Sequence, residues 1–479
     1  MSNKLLEKYH KIPAPVKASL WFTICNIIQK GISLLSMPIF TRLLTTAQYG
    51  EYTNYQAWYQ IISIFATLNL YYGVFNNGMT KYPEDRERFT SSMTGLTTVL
   101  TAALFVVYII APSFWNEVLD LSSLYVFAMF IELFFVPAFN FWAAKERYDY
   151  KYRKLVVVTL IMAFGSPILG VLTVLNTEYK AEARVLSYVF VQVCIGLFFY
   201  IYNMVKGKTF YVRDYWKFAL VFNIPLIPHY LSSQILNQAD RIMIANMIGK
   251  GEAAIYAVAY NVGTIMQIVI TAINNSFTPY MYKSIKSREY GGIYRNSRII
   301  LSLVGFACIG AMALGPEIIR IFASRDYYDA IWVIPPVACA IYFKFLYPLF
   351  STVEFYYEKT GFVMIASCLG AVANIILNYI FIKIYGYYAA GYTTLFCYIL
   401  YSFAHYFFQR KVAAEHEIQS ALFDMRYILL FSAFMLAAMV FMLFLYPYRI
   451  LRYLVCAAAI AVFAVLFKKN RHLFRKTKH

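Results

Sequence analysis

The stretch Met37-Pro-Ile-Phe-Thr-Arg-Leu-Leu-Thr-Thr-Ala-Gln-Tyr-Gly-Glu-Tyr52 closes one long apolar run and opens the next. Pro38 lacks a backbone N–H and can end or bend the first helix. Thr45, Thr46, Ala47 and Gln48 make a brief turn, and Tyr49-Gly50-Glu51-Tyr52 starts the second run. A degenerate echo lies about 204 residues on, where Met247-Ile-Gly-Lys-Gly-Glu-Ala-Ala-Ile-Tyr256 again joins two runs. Tyr256 falls where Tyr52 does. Phe75, Met79 and Lys81 likewise recur as Phe277, Met281 and Lys283, 202 residues later. Two related halves in one orientation imply a pseudo-twofold axis along a membrane normal. That is the parallel-repeat plan of many transporters, with the site between the halves.

Outward from this stretch, apolar runs near 20 residues recur along the whole chain. Each suffices to cross about 30 Å of hydrocarbon as a helix. Composition agrees: 61% of the 479 residues are hydrophobic, only 14% are charged, and the mean hydropathy is +0.56. A soluble chain carries roughly a quarter charged residues, and a transmembrane barrel shows alternating strands of about ten residues. The fold class is therefore all-α and polytopic. The spans run near 18–40, 50–74, 91–111, 122–143, 155–175, 184–204, 218–240, 254–278, 299–321, 331–353, 361–382, 388–409, 427–446 and 450–467. This gives two pseudo-symmetric six-helix lobes, 1–205 and 206–412, and a two-helix appendage with a basic tail, 413–479. The segment from Lys206 to Lys217 reads as the hinge between lobes.

The formal net charge is +19. Placed by loop, 31 of the 43 Lys and Arg residues fall on the side of the N-terminus and ten on the other. Only Lys30 and Lys344 remain within spans. Such a bias sets both termini in the cytoplasm and explains the charge without nucleic acid. The apolar run after Lys4, Lys8, Lys11 and Lys17 is too long for a signal peptide and lacks a small-residue cleavage site, so it is expected to be retained. The seven cysteines lie in apolar runs with no C-x-x-C, and the six histidines have no metal-ligand spacing.

Polar residues inside the spans fall on faces. Thr23, Asn26, Lys30 and Ser33 follow helical spacing on the first span. Tyr260, Thr264, Gln267, Thr271, Asn274 and Thr278 do so on the eighth, the seventh offers Ser233, Asn237, Asp240 and Arg241, and the second adds Trp58. In lipid such faces must point at protein or water. One reading is a polar, aromatic-lined cavity with Asn26, Lys30, Trp58, Asn237, Gln267, Asn274 and Lys344 as substrate contacts. The other is helix–helix hydrogen bonding with no ligand. A lysine at mid-membrane costs at least about 2.5–3.5 kcal/mol. An anionic substrate group offsets that cost, and so does an ion pair, for which Glu132 is the buried carboxylate. Asp240 and Arg241 read as a gate pair with Arg42 nearby, or as a pair at a helix end. Glu354 and Glu358 read as a solvated helix end. Pro225, Pro228, Pro335, Pro336 and Pro348 supply either hinges or static kinks. No catalytic or nucleotide-binding motif is present, so the chain does not read as an enzyme.

Pro38 to Tyr52 resembles the opening motif of bacterial polysaccharide repeat-unit flippases of the O-antigen and capsule type. These belong to the multidrug/oligosaccharidyl-lipid/polysaccharide (MOP) exporter superfamily. Asp240-Arg241 with Ala254-Ile255-Tyr256 resembles the matching motif of the second half. Glu358-Lys359-Thr360, Asn374-Ile-Ile-Leu-Asn378-Tyr379 and Ala389-Ala390-Gly391-Tyr392-Thr393-Thr394 are similar to the family's eleventh and twelfth spans. Leu44-Thr45 and Ala254 depart from the pattern at positions where it carries glycine. The resemblance implies a carrier in the bacterial cytoplasmic membrane that flips undecaprenyl-pyrophosphate-linked glycan. Its partners would be membrane lipids and the polysaccharide polymerase machinery, with no cofactor beyond a coupling ion, Na+ or H+. Two alternatives stand: an ion-coupled multidrug exporter of the same superfamily, and a membrane glycan polymerase or ligase. The exporter needs an acidic coupling site, and Glu132 is the deep carboxylate for it. The enzyme needs a large outward catalytic loop that the spans do not leave.

Overall fold

A computed structural model describes residues 14–357, 359–418 and 420–458, without the side chains of 14–16, 264, 265, 268, 272, 275 and 360. All regular structure among them is helical, as a chain must be when lipid leaves each span to satisfy its own backbone. The order is α1 (Ala14–Leu43), α2 (Thr46–Thr67), α3 (Gly73–Lys81), α4 (Arg86–Ile110), α5 (Pro112–Leu119), α6 (Ser123–Tyr148), α7 (Tyr152–Leu175) and α8 (Lys180–Gly207). There follow α9 (Arg213–Asn223), α10 (Ile227–Met247), α11 (Lys250–Lys286), α12 (Gly291–Phe322), α13 (Ile334–Tyr356), α14 (Thr360–Tyr385), α15 (Tyr388–Glu415) and α16 (Met425–Leu445). Each expected span falls on helix, the fourteenth being described only to residue 458. Nine helices among the described residues are long and apolar enough to cross a membrane. In the middle of α7, Val157, Ile161, Phe164, Ile168 and Leu172 are exposed, one stripe at helical spacing that suits lipid.

Two compact units form. The first is Met1–Val258 with Phe322–Tyr327 and Lys359–Cys397; the second is Ala259–Ile321, Tyr328–Glu358 and Tyr398–His479. In the first, α8 packs against α4, α6 and α7, α1 lies on α7, and α10 sits between α2 and α14. Its core is aromatic, with Trp142 stacked on Phe199 at 4.1 Å and Phe75, Phe89, Phe141 and Tyr215 in one cluster. In the second, α13 is buried along nearly its whole length and packs on α16.

Three local expectations are corrected, and a fourth segment is located. Pro38 does not end α1, which runs on to Leu43. The turn after it is only two residues, because Thr45 caps α2: Thr45 and Gln48 form a reciprocal capping box at 3.2 and 3.0 Å. The second span is not continuous but breaks between α2 and α3, where Leu68 and Asn69 adopt left-handed φ of 48° and 51°. The Asn223 amide donates to the Leu68 carbonyl at 2.5 Å. That residue ends α9, just before the 3-10 turn Ile224–Leu226 that interrupts span seven at Pro225. Two broken spans thus meet at their breaks. Finally, the Lys206–Lys217 connection is docked on α4: Ser91 donates to the Thr209 carbonyl at 2.7 Å and the Trp216 indole to the Ser92 carbonyl at 2.9 Å.

Candidate functional site

The two related turns touch. A methyl group added at Gly50 would overlap the Lys250 backbone carbonyl, so only glycine allows α2 to approach the start of α11 this closely. Thr46 lies against Gly251 from the other side, and the Lys250 ammonium pairs with Asp120 at 3.4 Å. The glycine and the small residues around it therefore serve contact between the turns.

Asp240 lies next to this junction on α10 and is buried. Its Oδ2 accepts from the Tyr256 hydroxyl at 2.5 Å and the Thr394 hydroxyl at 2.7 Å, and its Oδ1 accepts from the Asn378 amide at 2.6 Å. Asn374 donates to Thr394 at 3.3 Å and accepts from Asn378 at 3.2 Å, while Thr393 donates to the Asn378 carbonyl oxygen. One carboxylate so ties α10 to α11, α14 and α15. All its observed donors are neutral. The adjacent Arg241 turns to Gln238, at 3.3 Å, instead of closing a pair with Asp240. Bonds from three donors make up for much of the carboxylate's lost hydration. Sequence reading singled out each of these segments but not their convergence.

Glu132 on α6 is a second wholly buried carboxylate of this unit. The Tyr55 hydroxyl donates to its Oε2 at 2.7 Å, with Tyr59 and Tyr188 as the nearest other hydroxyls. Its Oε1 is buried with no hydrogen-bond partner. No ion pair joins Glu132 to Lys30 among the described residues, so the structural pairing considered for that lysine is not formed. Arg184, at the start of the sixth span and one of the ten basic residues placed on the outer side, is buried. Its guanidinium is sandwiched between the Phe40 ring at 3.9 Å and the Tyr52 ring at 4.0 Å, both in the opening stretch. Its Nε and Nη1 are buried without hydrogen-bond partners.

The exposed side chains of α1 divide into two faces. Thr23, Asn26, Lys30 and Ser33 are exposed along one narrow stripe, joined by Ser19, while Leu20, Ile27, Leu35 and Ile39 are exposed elsewhere. Lys30 makes no ion pair or hydrogen bond among the described residues. An uncompensated ammonium at that depth needs water or an anion. Asn237 is half-buried and donates to the Ser233 carbonyl at 2.6 Å. Trp58 is half-buried beside Tyr55, with its indole N–H buried and unpartnered. Arg42 is exposed and bonds back to the Pro38 carbonyl at 2.8 Å.

In the second unit Gln267 and Asn274 are half-buried on α11, and the Thr264 side chain lies outside the described residues. The Lys344 ammonium lies 5.5 Å from the Tyr398 ring centre. Glu354 overturns the expectation of a solvated helix end. It is wholly buried, and His405 Nδ1 lies 2.9 and 3.1 Å from its two oxygens. The helical stripe linking it to Lys344 was the available signal. Glu358 lies outside the described residues.

An all-helical chain with lipid-suited outer faces, interrupted spans and buried polar cages is a polytopic membrane protein. Its fold is similar to those of a solved flippase and a solved transporter. The solved structure described as the lipid II flippase MurJ in an inward closed conformation matches with a TM-score of 0.70 over 95% of this chain and all of that one, at 15% identity. An inward-facing multidrug resistance MATE family transporter of the MOP superfamily matches with a TM-score of 0.66, over 84% of this chain and all of that one, at 13% identity. The chain belongs to the polysaccharide biosynthesis protein family, whose model matches residues 16–285. An uncharacterized membrane protein of Haemophilus influenzae is 20% identical over 372 residues, 74% of this chain and 87% of the relative.

Proposed function

We propose that this chain flips undecaprenyl-pyrophosphate-linked oligosaccharide repeat units across the bacterial cytoplasmic membrane by alternating access, for surface polysaccharide of the O-antigen or capsule type. The observation that carries the reading is the exposed polar stripe of α1 with Lys30, which makes no ion pair among the described residues, at its centre. A pyrophosphate is the anion that suits such a point charge. Asn26, Trp58 and Asn237 in the first unit, and Gln267, Asn274 and Lys344 in the second, are the side chains we assign to the cargo. Amides and aromatic faces suit sugars. Arg42 and Arg241 are assigned to gating, and Asp240 to holding α10, which carries Arg241, against α11, α14 and α15. Both termini lie in the cytoplasm, and the repeat-based division at 205 and 412 sets the moving lobes. A gradient of H+ or Na+ drives the cycle, membrane lipids surround it, and the polymerase machinery receives the product. Membership of a polysaccharide biosynthesis family and a fold shared with a lipid II flippase support this reading over the drug-exporter alternative.

The test is deletion in the native bacterium, followed by identification of the lipid-linked glycan retained in the cytoplasmic leaflet. Trapped glycan with loss of surface polysaccharide is expected. Lys30→Ala, at matched abundance, should not restore export, and Lys30→Arg should restore part of it. Unchanged surface glycan after deletion overturns the function. Near-normal export from Lys30→Ala removes Lys30 from it.

A further inference from the structure

Glu354 and His405 are both wholly buried in the second unit, one on α13 and one on α15. His405 Nε2 is buried without a partner among the described residues. A proton there would be an orphan donor in an apolar interior, so the ring holds its proton at Nδ1, toward the carboxylate. The pair then has two states. With one proton it carries a net negative charge, and with two it carries none. The charged state is costly away from water, and one added proton removes the cost.

The pair also ends a polar seam. Lys344, Tyr347, Ser351 and Glu354 recur along one face of α13, and Tyr398, Tyr401 and His405 along one face of α15. Tyr347 lies 4.9 Å from Tyr401 and 4.6 Å from His405, ring centre to ring centre, and its hydroxyl neighbours those of Ser351 and Tyr401. Ser402 fixes the register by donating to the Phe343 carbonyl at 2.6 Å. Tyr347 and Ser351 on α13 and Tyr398 and Tyr401 on α15 therefore occupy the helical positions between the pair and Lys344. Other elements bring no buried charge to this seam among the described residues. Lys283 and Lys286 of α11, and Lys411 and Glu415 of α15, are exposed. His416 stacks on Tyr357 at 3.7 Å, beyond the end of α13. Tyr342 bonds Ser432 of α16 on another face.

We propose that Glu354 and His405 form a proton-binding site that loads one proton in each transport cycle, exchanged with Lys344 through Tyr347 and Tyr401. Loading forms an O–H bond at Glu354 as the Lys344 ammonium gives up a proton through the tyrosine hydroxyls, and hydronium or a buffer acid reprotonates Lys344; discharge returns the proton to water by the reverse path. The proposal rests on the transporter reading and makes H+ the coupling ion. It is tested on the purified full-length chain by infrared difference spectroscopy across pH. A protonated-carboxyl band should appear on acidification in the wild type, vanish in Glu354→Gln and shift in His405→Gln. Tyr401→Phe leaves the pair in place and should keep the band while slowing its exchange with D2O. An unchanged band in folded Glu354→Gln overturns the proposal. If that variant does not fold, an unshifted band in Glu354→Asp and unaltered exchange in Tyr401→Phe do so. The outcomes separate from those of the flippase test. A band lost in Glu354→Gln supports the proton site even where deletion leaves surface glycan intact. A band unmoved by Glu354→Gln overturns the site even where deletion traps glycan.

Discussion

Asp240 and Glu132 are buried carboxylates of the same unit, and their surroundings differ in one respect that matters. Asp240 accepts from a hydroxyl on α11, an amide on α14 and a hydroxyl on α15, so three elements depend on its oxygens. Glu132 accepts from Tyr55 alone at hydrogen-bonding geometry, and one of its oxygens has no partner. The first carboxylate is a junction between helices. The second sits in a nest of tyrosines that remain packed on each other without it, Tyr55 against Tyr59 and Tyr125. Equal burial therefore does not mean equal structural weight. The number of donors left orphaned decides it.

The comparison breaks first at Asp240. Asp240→Ala strands three donors, so a loss of about 2–4 kcal/mol is expected, allowing for the modest worth of hydrogen bonds inside membranes. Unfolding of the purified chain in detergent measures it. Asp240→Asn keeps the shape and one acceptor oxygen, and should lose roughly half as much. A loss below that of a single hydrogen bond for Asp240→Ala would mean that the junction is redundant.

Thr394→Val sharpens the contrast at a smaller scale. It removes one donor to Asp240 and the acceptor for Asn374, while preserving volume. About 0.6–1.5 kcal/mol is expected, read by the same unfolding measurement. In a cycle with Asp240→Ala the two losses should be less than additive, because they share a bond. Full additivity would place Thr394 outside the junction.

Much of this was legible in the sequence. Apolar runs with few charges allow only helices in lipid, so the spans could be read one by one. The repeat at Tyr52 and Tyr256 marked two turns that prove to be in contact. The pairings were not legible. Asp240 is separated from Asn378 by 138 residues and from Thr394 by 154, and periodicity within one helix says nothing about which neighbour supplies a donor. Arg184 looked like loop charge because its aromatic partners, Phe40 and Tyr52, lie far back along the chain. Glu354 looked solvated because it is near a helix end, yet α15 covers it. The break at Leu68 was hidden because hydropathy continues through it, while the bond that satisfies it comes from Asn223.

The smallest expected effect belongs to Glu132. In Glu132→Gln the amide oxygen can still accept from Tyr55, and the amide nitrogen can donate to the neighbouring Tyr59 hydroxyl. The ring contacts around it do not depend on charge. A change of about 0.5 kcal/mol or less is therefore expected in unfolding. The same variant also tests the pairing that the structure lacks. Since Glu132 does not bond Lys30, Glu132→Gln should not rescue export lost in Lys30→Ala. A loss as large as that of Asp240→Asn would show that Glu132 holds a second partner in the membrane. Rescue of Lys30→Ala would show that the two residues meet in another state of the cycle. Either result would erase the distinction between junction and nest.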